Sequence, residues 1–166
     1  MATGIRSNGY TEYPTNPQNS VGKQLKTVYY EKTIATGAGT NTLHILAGPL
    51  TLDETIREVT GVIPALNSAN NNDLGFWKIN ADGTFTAIVQ GALWSGIDLS
   101  AALTYRDLLS DRNSSLDRDD NIGTLCSLGS DQMPIDGVYL GLYIKTASTA
   151  TSEVLRLKIV IEEGNF

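Results

Sequence analysis

Cysteine and histidine occur once each in the 166-residue chain, and methionine and tryptophan twice each. A lone Cys126 cannot close an internal disulfide, and no histidine lies near it in sequence, so a small buried apolar residue is expected there. A lone His44 cannot build a multi-histidine zinc site. No G-x-S-x-G elbow accompanies it, so an ordinary strand residue is expected between Leu43 and Ile45. Apolar stretches are broken by Gly, Thr, Ser and Asn well short of the roughly 20 residues a membrane helix needs, so no membrane partner is expected. Residues 1–22 lack both the apolar stretch and the cationic start of a secretory signal, which points to a chain made and kept in the cytosol, or released only by lysis. Basic residues are outnumbered 12 to 18 by acidic ones and form no run, which argues against a nucleic-acid partner held through phosphates.

What is abundant is the vocabulary of turns and short strands: 16 glycines, many Thr, Ser and Asn, and β-branched residues between them. The first clear strand is Thr27-Val28-Tyr29-Tyr30-Glu31-Lys32-Thr33-Ile34, and a second covers residues 42–47 before Gly48-Pro49. Residues 51–62 carry both periods. Leu52, Ile56, Val59 and Ile63 fall at helical spacing and Thr51 with Glu54 resembles a capping box, so a short helix leading into an extended segment is expected.

Residues 67–73 read as a polar loop, and residues 74–80 and 84–90 as a hairpin turned by Asn80-Ala81-Asp82-Gly83. Ile97, Leu99, Ala101, Leu103 and Tyr105 alternate as one strand, with residues 106–109 turning helical. A charged loop at 111–123 and a short strand at 124–128 follow. Residues 138–147 and 152–162 alternate well and are expected to pair as a second hairpin across 148–151. The reading is all-β: a jelly-roll-like antiparallel sandwich of about eight strands with at most one short helix.

Residues 1–25 differ from the rest. They hold Pro14, Pro17 and several Gly and Asn with few apolar side chains, too few to offset the entropy of ordering. The division expected is an extended N-terminal arm at 1–25 and a β-sandwich domain at 26–166. Ile5, Arg6, Tyr10 and Tyr13 are the arm's candidate contacts with a neighbouring subunit, because tyrosines bury much area at low rotamer cost. An extended arm also adds readily to an exposed sheet edge.

Catalytic and binding signatures are weighed against bland readings. Asp117-Arg118-Asp119-Asp120-Asn121 opens like a calcium loop, but Ile122 stands where the turn needs Gly and Leu128 where a bidentate Glu is required, so a solvated loop is expected. Scattered carboxylates offer no defined pair for glycoside hydrolysis. Trp77, Trp94 and Tyr105 are a candidate sugar-stacking set, although aromatics on strands usually belong to cores. Gly37-Ala38-Gly39 and residues 91–96 precede no helix of a βαβ unit and read as turns rather than phosphate loops. No enzyme activity and no cofactor are expected.

The polar arm at 1–25, the hairpin spanning residues 76–88 and the closing strand at 154–162 together resemble the auxiliary, or cement, proteins that decorate tailed-bacteriophage capsids. The resemblance is one of design. It implies a non-enzymatic virion protein, often trimeric, on the outer capsid surface where major capsid protein subunits meet. Binding only the assembled lattice would stabilise it by mass action. Two other readings stay open: a carbohydrate- or receptor-binding module of a tail fibre or spike, and a head-tail connector or tail subunit.

Overall fold

A computed structural model describes residues 24–34, 41–66, 70–109, 120–146 and 153–164; the arm candidates Ile5, Arg6, Tyr10 and Tyr13 lie outside the described residues. The strands are β1 (Leu25–Ile34), β2 (Thr42–Leu50), β3 (Thr55–Ile63), β4 (Asn70–Ile79), β5 (Phe85–Asp98), β6 (Leu103–Asp107), β7 (Val138–Ile144) and β8 (Glu153–Glu162). Between β6 and β7 come a helix, α1 (Ile122–Cys126), and a 3-10 turn at Ser130–Gln132.

Two four-stranded sheets form, ordered β1-β8-β3-β6 and β2-β7-β4-β5. Strand β1 pairs with β8, β2 with β7, β3 with β6 and β4 with β5, all antiparallel, so the chain is one long hairpin whose tip is the β4–β5 turn. Successive rungs alternate between the sheets, which is a hairpin rolled up into a jelly roll. The body is thus the expected all-β sandwich.

Its interior follows from strand periodicity. On β8 the odd positions Leu155, Leu157, Ile159 and Ile161 point inward, and on β7 the even positions Val138, Leu140, Leu142 and Ile144 do so, all fully or almost fully buried. With Val59, Phe76, Leu93 and Ile97 they make one continuous apolar cluster. Across it, the Tyr30 hydroxyl of β1 meets His44 Nδ1 of β2 at 3.0 Å, tying the two sheets together. His44 is an inward-facing strand residue opposite Leu142.

Several expectations are corrected. Residues 55–63 form a strand, not a helix, paired with β8 on one side and β6 on the other. The Thr51–Glu54 pattern does make its expected bond, Thr51 N donating to Glu54 Oε2 at 2.6 Å, but it closes a turn that runs into a β-branched strand. Such a strand keeps its pleat once two neighbours supply ladder bonds. Of the expected 67–73 loop, residues 70–73 belong to β4 and residues 67–69 lie outside the described residues.

Residues 97–109 are not one strand. Asp98 Oδ1 accepts from Ser100 N, and Leu66 N donates to the Leu99 carbonyl, which turns the chain out of β5 before β6 starts in the other sheet. Strand β6 continues through Asp107, where a helical turn was expected.

Residues 122–126 are helical, where the end of the charged loop and the start of the 124–128 strand were expected. Asn121 Oδ1 accepts from Thr124 N, the carbonyls of Glu54 and Leu52 accept from Ile122 N and Gly123 N, and Ser127 ends the helix at a left-handed φ of 54°. Finally, β7 and β8 do not form a hairpin. They lie at the centres of opposite sheets, because alternation specifies which face a residue takes but not which strand it meets.

Candidate functional site

The two outward faces of the sandwich differ sharply in chemistry. On β2-β7-β4-β5 the outward positions include a contiguous apolar and aromatic set: Leu43, Ile45, Trp77, Phe85, Tyr139 and Tyr143. Trp77 is only 6% exposed, yet it stands apart from the interior cluster. Its ring is covered from outside, by Tyr143 at a centroid distance of 5.2 Å. A Cβ on Gly141 would press against the Trp77 ring and Leu43, so glycine there makes room for the indole. Phe85 and Tyr139 continue the layer edge to face at 5.4 Å.

The same face carries one buried ion pair. Asp73 accepts from Lys145 Nζ at 2.7 Å, Gln90 Nε2 at 2.7 Å, Gly96 N at 3.0 Å and Ser95 Oγ at 3.1 Å. Burial alone would raise the carboxyl pKa; the bonds from Lys145, Gly96, Gln90 and Ser95 outweigh it and hold the group below its usual range. These bonds fasten the excursion of β5 between Val89 and Trp94, where several residues oppose the single Gly75 of β4.

The outward face of β1-β8-β3-β6 is charged. Arg156 Nε meets Glu31 Oε2 at 2.8 Å, Lys158 Nζ meets Glu58 Oε1 at 3.3 Å, and Arg57 pairs with Glu162. Across this face runs a cleft of about 530 Å³ lined by Tyr29, Glu31, Glu58, Thr60, Tyr105, Arg156 and Lys158, among others. Its floor follows the sheet register: Tyr29, Lys158, Thr60 and Asp107 form one rung, and Glu31, Arg156, Val62 and Thr104 another.

Tyr29 and Tyr105 stand at opposite edges of that sheet, 78% and 86% exposed. Tyr105 sits where the β3–β6 register slips between Gly61 and Val62, with a positive φ of 52° that a bulky residue rarely takes. Gly61 also has a positive φ, 151°, and a side chain there would collide with the Arg156 carbonyl. The kink under Tyr105 is therefore built in on both strands.

Of the residues singled out in the sequence, the structure does not bring Trp77, Trp94 and Tyr105 together. Trp77 is covered, Trp94 packs half-buried against the core and Tyr105 is exposed on the other sheet. The tyrosine that Tyr105 does join, Tyr29, is marked in the sequence only as part of a strand. Cys126 is buried in α1, and burial pushes its thiol up to about 12. Asn121 caps α1, accepting from both the amide and the hydroxyl of Thr124. Residues 117–119 lie outside the described residues. Among the described residues, no three of His, Cys, Asp and Glu gather as metal ligands, and no helix is long and apolar enough to cross a membrane.

Comparison with protein-family models, with curated proteins and with solved structures finds no match for this chain.

Proposed function

We propose that the chain is a non-enzymatic virion structural protein that decorates a bacteriophage capsid and stabilises it by binding between major capsid protein subunits. The observation that carries this reading is the aromatic outward layer of the β2-β7-β4-β5 sheet. A sandwich needs its interior faces apolar, and an additional layer of Trp, Tyr, Phe, Leu and Ile on an outside face is the chemistry of an interface. In this reading the layer packs copies of the chain against one another, as a trimer, on the outer surface of the shell. The arm, through Ile5, Arg6, Tyr10 and Tyr13, reaches the major capsid protein.

The arm's point of departure supports the same reading. Residues 1–23 precede β1, an edge strand that among the described residues pairs only with β8. An edge strand continuous with an arm can extend its ladder onto a neighbouring chain.

Two variants test the proposal in one experiment: a chain lacking residues 1–23, and full-length Ile45→Lys. Sedimentation velocity measures assembly, and co-pelleting with capsid shells stripped of this protein measures docking. The full chain is expected to run as a trimer and to pellet with shells. The truncated chain stays folded and trimeric but no longer pellets, and Ile45→Lys runs as a monomer. A monomeric full chain, or docking unaffected by loss of the arm, overturns the proposal.

A further inference from the structure

We propose that the cleft between Tyr29 and Tyr105 binds a short neutral oligosaccharide. This inference is independent of the decoration reading, since it uses the opposite sheet and none of the arm.

The argument begins with cost. Two large aromatic rings are left almost wholly in water, over a floor formed by two ion pairs with Thr60 and Val62. One of them, Tyr105, is held out by a backbone conformation unfavourable for a bulky side chain, over a register slip and above a glycine that no other residue can replace without a clash. Backbone strain of this kind persists where the surrounding fold enforces it, and it concentrates at ligand sites.

Geometry narrows the ligand. Tyr29 is on β1 and Tyr105 on β6, with β8 and β3 between them, so the two posts are separated by three inter-strand spacings, roughly 14 Å. The 530 Å³ cleft falls within the range of about 300–1,000 Å³ typical of small-molecule sites. A ligand that touches both rings must lie across the strands. A peptide that bound by adding to the ladder would instead run along an edge, parallel to them.

Charge narrows it further. The side chains of the floor, Glu31 with Arg156 and Glu58 with Lys158, are paired in opposite signs, so the cleft favours neither an anion nor a cation. Each pair offers acceptors and donors side by side, and the Thr60 hydroxyl, beside Lys158, donates to Glu58 Oε1 at 2.7 Å and keeps its lone pairs for an incoming donor. A sugar hydroxyl is at once donor and acceptor, and the C–H faces of pyranose rings stack on tyrosine. Exposed aromatic posts over a floor of paired charges thus suit a polyhydroxylated, uncharged chain better than a nucleic acid or an acidic peptide.

The test uses the full-length protein on an array of defined oligosaccharides, neutral and charged, followed by calorimetric titration of any neutral hit. Tyr29→Ala and Tyr105→Ala are compared with Ile135→Ala, which alters a fully exposed side chain outside the cleft. Each tyrosine variant is expected to weaken binding roughly tenfold, the double variant to abolish it, and Ile135→Ala to leave it unchanged. Tyr105→Phe, which keeps the ring, is expected to retain most of the affinity. Circular dichroism and an unchanged unfolding midpoint show that the variants remain folded. The proposal is overturned if the folded protein retains no neutral oligosaccharide, if only charged glycans bind, or if binding survives the double variant. It is equally overturned if the tyrosine variants lose docking to capsid shells while no saccharide binds, because the cleft is then a protein contact.

Discussion

His44 shows how one buried side chain records its surroundings. Burial between the sheets holds its imidazole below the usual value of 6.5, and the positive charge of Lys32 lowers it further. The unfolded chain therefore binds this proton at a higher pH than the folded chain does. Stability should be complete at neutral pH, fall as pH drops through 6.5, and stop falling on this account below the folded-state value. Equilibrium urea unfolding between pH 7.5 and 5 measures the slope. In His44→Leu the part of the slope due to this residue is expected to vanish. Cys126 gives a second expectation of the same kind. With its thiol buried and raised to about 12, it should resist alkylation in the native protein at pH 8 and react fully once the chain is unfolded in urea.

Between residues and whole strands, the β4–β5 hairpin depends on Asp73. Replacing it with Ala removes the acceptor for Gln90, Ser95, Gly96 and Lys145 together and leaves the half-buried Lys145 without this partner. A loss of about 3 kcal/mol in unfolding free energy is expected, the low end for breaking a buried pair, since Lys145 retains partial access to water. Denaturant titration of Asp73→Ala against Lys145→Met checks this: the second variant leaves the carboxylate its three other donors and should cost less.

How far such elements could be read from sequence depended on whether the signal was local. The Asn80 to Thr84 turn was legible because Asp82 and Gly83 carry its chemistry themselves, Asp82 Oδ1 accepting from Thr84 N and Gly83 taking φ 82°. The fates of residues 55–63 and 122–126 were not legible, since both are settled by partners distant in sequence, β8 and β6 for the strand and the 52–54 turn for the helix. The cleft was hidden for the same reason. Tyr29 and Tyr105 come to line one cleft only when strands from opposite ends of the chain close one sheet, and nothing in the alternation around Tyr105 announces its positive φ.

The nested pairing also governs how the whole molecule folds. Leu25 meets Glu162, and β8 sits between β1 and β3, so half of the sandwich cannot close until the last strand arrives. Topologies dominated by distant contacts fold slowly. Refolding followed by stopped-flow tryptophan fluorescence is expected to take seconds rather than milliseconds. A chain ending at residue 152 should fail to give a cooperative unfolding transition, because Tyr30 and Val59 then lose their strand partners Leu157 and Ile159.

The same pairing fixes an address. Glu163 N donates to the Gln24 carbonyl, so the segment leading into the first strand and the segment leaving the last one pass through a single corner of the body. A fluorophore, affinity tag or foreign domain joined directly before Gln24 or directly after Gly164 would emerge from that one corner. Two such cargoes, one on each side of the corner, would crowd each other.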